Sequence, residues 1–195
     1  MKPFLMIILC FCVFACARNT KNTESNLLWH FNAKQNNSQM DHQVQPIITG
    51  YQELLKGVAN KDTSYIKETS FALLTVLDSI AGLSLSTDTA MQNNWVTGVG
   101  NISAELQGVI ESNTMQDAKE LTLSMNMTAV QILQLLSEIG YKERNIYIFN
   151  APNEYIEDGV YWLSLLKNTV NPFNEDKKKE SLTLLFTYFT NRNAF

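Results

Sequence analysis

The sequence predicts an all-α domain: an antiparallel four-helix bundle with a loop-rich C-terminal layer and one extra terminal helix. Three observations predict it. Apolar residues recur every three to four positions through four successive segments, the spacing that lines one face of an α-helix. Short polar breaks containing capping residues separate those segments, and short connections make neighbouring amphipathic helices antiparallel. The chain's three cysteines, Cys10, Cys12 and Cys16, all lie at its start, so a body that follows them is held by its core rather than by disulfides.

The chain has 195 residues, 45% of them hydrophobic, and a formal charge of -4. It divides into an export segment over 1–16, a flexible tether over 17–45 and one helical domain over 46–195. A body of about 150 residues buries roughly 70% of its surface on folding, enough for a core without cross-links. The modest acidic balance argues against nucleic acid as a partner, because phosphate binding calls for clustered Lys and Arg. Lys177, Lys178 and Lys179 form the one basic run, and they follow Glu175 and Asp176, which reads as a solvated helix start.

"MKPFLMIILCFCVFACARNT" opens with Lys2, runs apolar from Phe4 to Ala15 and then turns polar, the layout of a secretory leader. It is too short for a membrane span, which needs about 18 apolar residues. "VFAC" resembles a bacterial lipobox ending at Cys16, although Phe14 stands where an aliphatic residue is usual. Ala15 and Ala17 also compose an A-x-A-like site, so cleavage after Ala17 is the alternative. Acyl chains on Cys16 would attach the protein to a membrane, each buried CH₂ contributing about 0.8 kcal/mol. Lipid attachment at Cys16 implies a bacterial cell-envelope location facing the periplasm. The tether is rich in Asn, Gln, Ser and Thr and is expected to stay mobile. Its apolar patch, Leu27, Leu28, Trp29 and Phe31, would dock on the domain or on a membrane surface.

The first helix is expected from Pro46, with Ile47, Ile48, Tyr51, Leu54, Leu55 and Val58 on one face. "NKDTS" breaks it and supplies caps. Tyr65, Thr69, Ala72, Leu73, Val76, Leu77 and Ile80 repeat the stripe until Gly82. A third helix starts near Asp88 and carries Met91, Trp95, Ile102, Leu106, Val109 and Ile110, with Gly98 and Gly100 predicting a kink or a close helix contact. The fourth, capped by Asn113 or Thr114, carries Ala118, Leu121, Met125, Thr128, Ile132, Leu135 and Ile139 and stops at Gly140. Beyond it come a short β-like run over 146–149, a Pro-containing loop, and "GVYWLSLLK" as a short buried helix. "NTVNPFNE" reads as a turn. "DKKKESLTLLFTYFTNRN" is the terminal helix, with Leu182, Leu185, Phe186 and Phe189 on one side.

Trp95, the segment "DGVYWLSLLKNTVNPFNEDK" and the helix pair beginning at "GYQELLKGVANKD" together resemble an uncharacterised family of bacterial envelope domains. These domains occur alone, often as lipoproteins, or fused to membrane-fusion subunits of copper and silver efflux systems. The resemblance spans roughly residues 45 to 180. It implies that Trp95, Gly159, Trp162, Leu163, Ser164, Asn171 and Pro172 frame a folded loop. That family carries Cys and Met ligands in the same region, groups that soft Cu(I) prefers. Here Ala151 and Asn153 stand at the first two such positions, Lys178 at a third, and "KES" at a fourth, so the frame is expected to remain without its soft ligands.

Other metal sites find little support in the sequence. His30 and His42 sit in the tether, and Met125 and Met127, two apart on a helix, point to different faces. The expected body has neither a histidine nor a cysteine, which argues against Ser-His-Asp and thiol catalysis. No Gly-rich phosphate loop follows a strand. The reading is therefore a non-catalytic, membrane-anchored interaction or binding module needing no cofactor, a monomer with an envelope protein as partner. The alternative is a carrier that holds a small polar ligand or hard cation through oxygens of Asn150, Asn153, Glu157 and Asp158.

Overall fold

The computed structural model describes residues 37–173 and the backbone of 183–188. Cys16, the leader, the Leu27 to Phe31 patch, His30, Lys177, Lys178, Lys179, Leu182 and Phe189 lie outside the described residues. Four helices come first, α1 (Ser38–Asn60), α2 (Thr63–Ala81), α3 (Thr89–Met115) and α4 (Ala118–Glu138). Strands β1 (Ile146–Ala151), β2 (Val160–Ser164) and β3 (Thr183–Tyr188) follow, forming one sheet in the order β2-β1-β3. Both pairings are antiparallel. The all-α expectation therefore gives way to helices with a three-stranded sheet.

α1 begins well before Pro46, so residues 38–45 of the expected tether are helical and His42 is part of the folded body, on its exposed side. Asn37 is the reason. Its Oδ1 accepts from the backbone N–H groups of Gln39 (3.0 Å) and Met40 (3.3 Å), satisfying donors that a helix start leaves open. Met40 and Val44 extend the apolar stripe upstream and are fully buried. Pro46 lies inside α1 on an exposed position, where the missing N–H costs one helical bond whose carbonyl partner can turn to water.

Two helix turns share one construction. After α1, Lys61 adopts a left-handed φ of 54°, its N–H donating to Val58 O (3.0 Å) while Asp62 N–H reaches Gly57 O (3.0 Å). After α3, Gln116 (φ 56°) and Asp117 repeat this onto Asn113 O (3.2 Å) and Ser112 O (3.0 Å). The paired bonds satisfy carbonyls left open at a helix C-terminus. Asp62 and Asp117 then cap the next helices, accepting from Tyr65 N–H (2.9 Å) and Glu120 N–H (3.0 Å). The cap expected at Asn113 or Thr114 is thus displaced to Asp117. Thr114 Oγ1 donates back to Ile110 O (2.7 Å), and Asn113 Nδ2 crosses to Thr63 O (2.8 Å), so both side chains are engaged inside α3 or across it.

The stripes pack α1 on α2, α2 on α3 and α3 on α4. Close approaches come at small residues. A Cβ on Gly50 would stand 2.8 Å from Leu73 Cδ1, and one on Gly57 2.9 Å from Ile66 Cγ1. Gly98 lies equally tight on Leu135 and Gly108 on Ser124, while Gly100 faces open space. On α2 the buried line runs Ile66, Ser70, Leu73, Leu77 and Ile80. Ala72 is exposed, and Ser70 enters the core by donating its hydroxyl to Ile66 O (2.7 Å). Trp95 is fully buried and donates Nε1–H to Ile80 O (3.2 Å), joining α3 to the end of α2.

"GVYWLS" forms a strand, not a helix. Val160, Tyr161 and Trp162 are β-branched or aromatic and suit a pleated surface, and they pair with Ala151, Asn150 and Phe149 of β1. Trp162 stacks on Phe149 with centroids 5.5 Å apart and meets Phe173 edge-on at 6.3 Å. The outer edge of β2 is closed by side chains: Asn126 Oδ1 on α4 accepts from Tyr161 N–H (2.8 Å), and Gln52 Nε2 on α1 donates to Leu163 O (2.8 Å). Edge groups that would otherwise stand open are thereby satisfied. Residues 183–188 form β3 where the terminal helix was expected. Its register on β1 slips between Ile148 and Phe149, leaving Leu185 as the extra residue of a β-bulge.

Candidate functional site

A pocket of about 460 Å³ opens at the pole where the two helix turns lie side by side. The ends of the apolar stripes lead into it. Val58 in the last turn of α1 and Leu121 in the first turn of α4 are half-buried, and Ala118 is exposed. From the other side come Asn153, Glu154 and Tyr155 of the β1–β2 connection, with Pro172 and Phe173. The volume lies within the range of small-molecule sites, which are mostly apolar with a few placed polar groups.

The polar groups of the walls are largely engaged with the protein itself. Ser112 Oγ donates to Gly108 O (2.7 Å), Thr122 Oγ1 to Ala118 O (2.8 Å), and Asn113 Nδ2 to Thr63 O (2.8 Å). Asn113 is 5% exposed, and its Oδ1 has no partner among the described residues. A buried acceptor in that state costs about 1–3 kcal/mol.

The loop over 152–159 is held by an Asn side chain of β1, by one of its own and by a backbone bond. Asn150 Nδ2 donates to Asp158 O (3.1 Å), Asn153 Oδ1 accepts from Tyr155 N–H (2.9 Å), and Gly159 N–H donates to Ile156 O (2.9 Å). Gly159 has φ +82°, and a Cβ there would stand 2.5 Å from Ala151 O, so the position admits glycine alone. Glu157 and Asp158 are exposed. Among the described residues no group of three His, Cys, Asp or Glu side chains gathers where a metal ion could be held.

The other residues singled out in the sequence fall into place around this loop. Trp162, Leu163 and Ser164 are buried in β2, and Ser164 Oγ accepts from Leu166 N–H (3.0 Å). Asn171 Oδ1 accepts from Phe173 N–H (2.9 Å), setting the turn that delivers buried Pro172 and half-buried Phe173 to the pocket. Trp95 lies apart, beneath the α2–α3 connection. Asn153 and Pro172 are thus brought together at the pocket; Asn150, Glu157 and Asp158 are not among its walls. Sequence reading missed the remaining walls. The repeated Asp that opens α2 and α4, each after a helix that ends without Gly, was the available signal for two like turns at one pole.

Shifted carboxyl groups lie elsewhere. Burial raises the Glu105 carboxyl on α3, while Lys56 and Tyr65 hold Glu53 below the ordinary range. Neither lines the pocket. Met125 is fully buried and Met127 is 39% exposed, on opposite sides of α4. No described helix is long and apolar enough to cross a membrane. The chain matches no protein-family model, no curated protein and no solved structure.

Proposed function

We propose that this chain is a non-catalytic, membrane-anchored binding module of the bacterial envelope, whose helices form an antiparallel bundle with the ligand pocket at one end. Supporting the antiparallel arrangement, a step of seven residues forward in α1, Gly50 to Gly57, is matched by an equal step back in α2, Leu73 to Ile66. Gly98 with Leu135 and Gly108 with Ser124 run the same way in α3 and α4.

One observation carries the functional reading: the pocket lies at the C-terminal end of α1, away from the N-terminal side of the chain on which Cys16 stands. The first residue of α1 is Ser38 and its last turn, with Val58 and Ala59, lines the pocket. At about 1.5 Å per residue the helix sets its first residue about 35 Å from the pocket end. A lipid on Cys16, joined to the start of α1 through a long polar tether, would leave the pocket free to meet soluble molecules or an envelope protein. The likeness to envelope domains fused to copper and silver efflux subunits supports the location, and the replacement of soft ligands by Ala151 and Asn153 supports a role other than holding Cu(I).

The test is the mass and distribution of the mature protein. Acylated Cys16 as the first residue, with Cys16→Ser moving the protein out of the membrane fraction, is the expected result; a mature chain beginning after Ala17 would overturn the anchor. Cu(I) is expected to leave the melting temperature unchanged, and a stoichiometric stabilisation would overturn the loss of soft-metal binding.

A further inference from the structure

Taking the pocket as the binding site of this module, we propose that it receives a small uncharged molecule, an apolar body of one or two rings whose polar group, where it has one, is neutral. The walls divide by depth. Ile66 is buried and Val58, Leu121 and Phe173 are half-buried, which makes the inner surface apolar. The charged lining residues Lys61, Asp117 and Glu154 are all exposed, so they stand at the rim. The buried polar lining residues give a ligand no handle. Ser112, Thr122 and Asn113 spend their side-chain donors on backbone carbonyls, and Asn113 Oδ1 has no surface open to a ligand. Affinity for what enters therefore comes from apolar contact.

Charge gives no reason to choose an ion. Asp117 caps α4 by accepting from Glu120 N–H (3.0 Å), and Lys61 stands at the C-cap of α1, so each is set at the helix end whose dipole it complements. Glu154 is exposed to water. An entering cation or anion would give up hydration for an apolar surface with no counter-charge set to receive it, whereas an uncharged ring gains by leaving water. The chain's own apolar patch cannot reach this site. Phe31 stands six residues before Asn37, about 21 Å of extended chain at most, while α1 sets its start about 35 Å from the pocket. The stretch after Phe173, "NEDKKKES", has no apolar side chain to offer.

The experiment is equilibrium dialysis of the full chain in lipid nanodiscs, with empty nanodiscs as the blank, against 2-indanol, 2-aminoindane and indane-2-carboxylate at pH 7. These probes share one two-ring body and carry the polar group directly on it, so an ionic group cannot stay in bulk water while the rings are bound. The alcohol is expected to bind saturably at one site per chain, with the cation and the anion each weaker by about fivefold or more. Glu154→Gln should leave the alcohol and this order unchanged, because an exposed charge contributes little. Ala118→Trp fills the pocket from an exposed position and should weaken the alcohol by about tenfold or more with the melting temperature retained; Thr63→Trp, also exposed on the lining, serves if that variant does not fold. Equal or tighter binding of either ion, lost in the filled-pocket variant, would keep the pocket as a site and overturn the ligand class. No saturable binding of any probe up to about 10 mM, or alcohol binding unchanged by the filled-pocket variant, would overturn both. Lipidation at Cys16 does not enter this measurement and is read separately from the mature mass.

Discussion

At the scale of single residues, stability turns on a few side chains whose alternatives are poor. Gly159 is one. Alanine there would combine a left-handed backbone, disfavoured by about 1–2 kcal/mol for an L-residue, with a carbonyl 2.5 Å from its Cβ. Gly159→Ala is expected to destabilise by about 2–4 kcal/mol, read as a lower urea midpoint at unchanged slope. Tyr51 is the opposite case. Its ring fills the core, but its hydroxyl is buried with no hydrogen-bond partner within ordinary geometry among the described residues. Tyr51→Phe should therefore lie within about 0.5 kcal/mol of the parent at pH 7. Burial raises the Tyr51 hydroxyl far above its ordinary range, opposed only in part by the Leu163 backbone. The folded state thus keeps a proton that the unfolded chain releases above about pH 10, and the stability present below that pH is lost as pH rises, by about 1.4 kcal/mol per pH unit. Tyr141, pushed up to about 12 by burial, adds to the decline in the same direction. Denaturation curves at pH 9 and 11 should show a smaller loss for Tyr51→Phe than for the parent; equal losses would refute the assignment.

At the scale of elements, the helices follow from local rules and the sheet does not. The four stripes and the stops at Gly82 and Gly140 were legible because a 3.6-residue period repeats over many turns. The errors sit where a short segment carries no such repetition. Pro46 suits a first helical residue better than an inner one, and Asn37 with the upstream Met40 and Val44 decides for the longer helix. "GVYWLSLLK" mixes β-formers with a helix-like Leu run, and its strand is chosen by pairing with β1 and by Asn126 and Gln52 on its free edge, contacts made across the chain. "TLLFTY" is selected in the same way by β1. The pocket was legible only in Asn153 and Pro172, since its other walls meet through the packing of two turns. Two consequences are measurable. Asn126→Ala strands the Tyr161 N–H at a closed edge and should cost about 1–3 kcal/mol, whereas an exposed Asn93→Ala on α3 should cost under about 0.5 kcal/mol. Asp62→Ala and Asp117→Ala each remove a cap and should cost about 1 kcal/mol, adding in the double variant unless the two neighbouring turns are coupled.

At the scale of the whole molecule, helices and sheet are one body because they share one core. The buried cluster runs without a break from Met40 on α1 through Trp95 and Leu136 to Ile148 and Leu163 on the strands. α4 meets β2 along its length, and β2 is tied to α1 as well. A two-stranded hairpin is marginal alone, and this three-stranded sheet is packed through β2 on α4. Unfolding should accordingly be a single transition. Far-ultraviolet circular dichroism, which follows the helices, and near-ultraviolet signals from buried Trp95 and Trp162 should give coincident urea curves. Asn126→Ala then provides the stringent version, because it acts at the helix–sheet seam. If the body is one cooperative unit, the variant shifts both curves together; if the sheet is a separate unit, the Trp162 part of the near-ultraviolet signal is lost first while the helical signal and the Trp95 part stay at the parental midpoint. Coincidence also bears on function, since a pocket walled by helix turns on one side and by the sheet's connections on the other keeps its shape only while both halves remain folded.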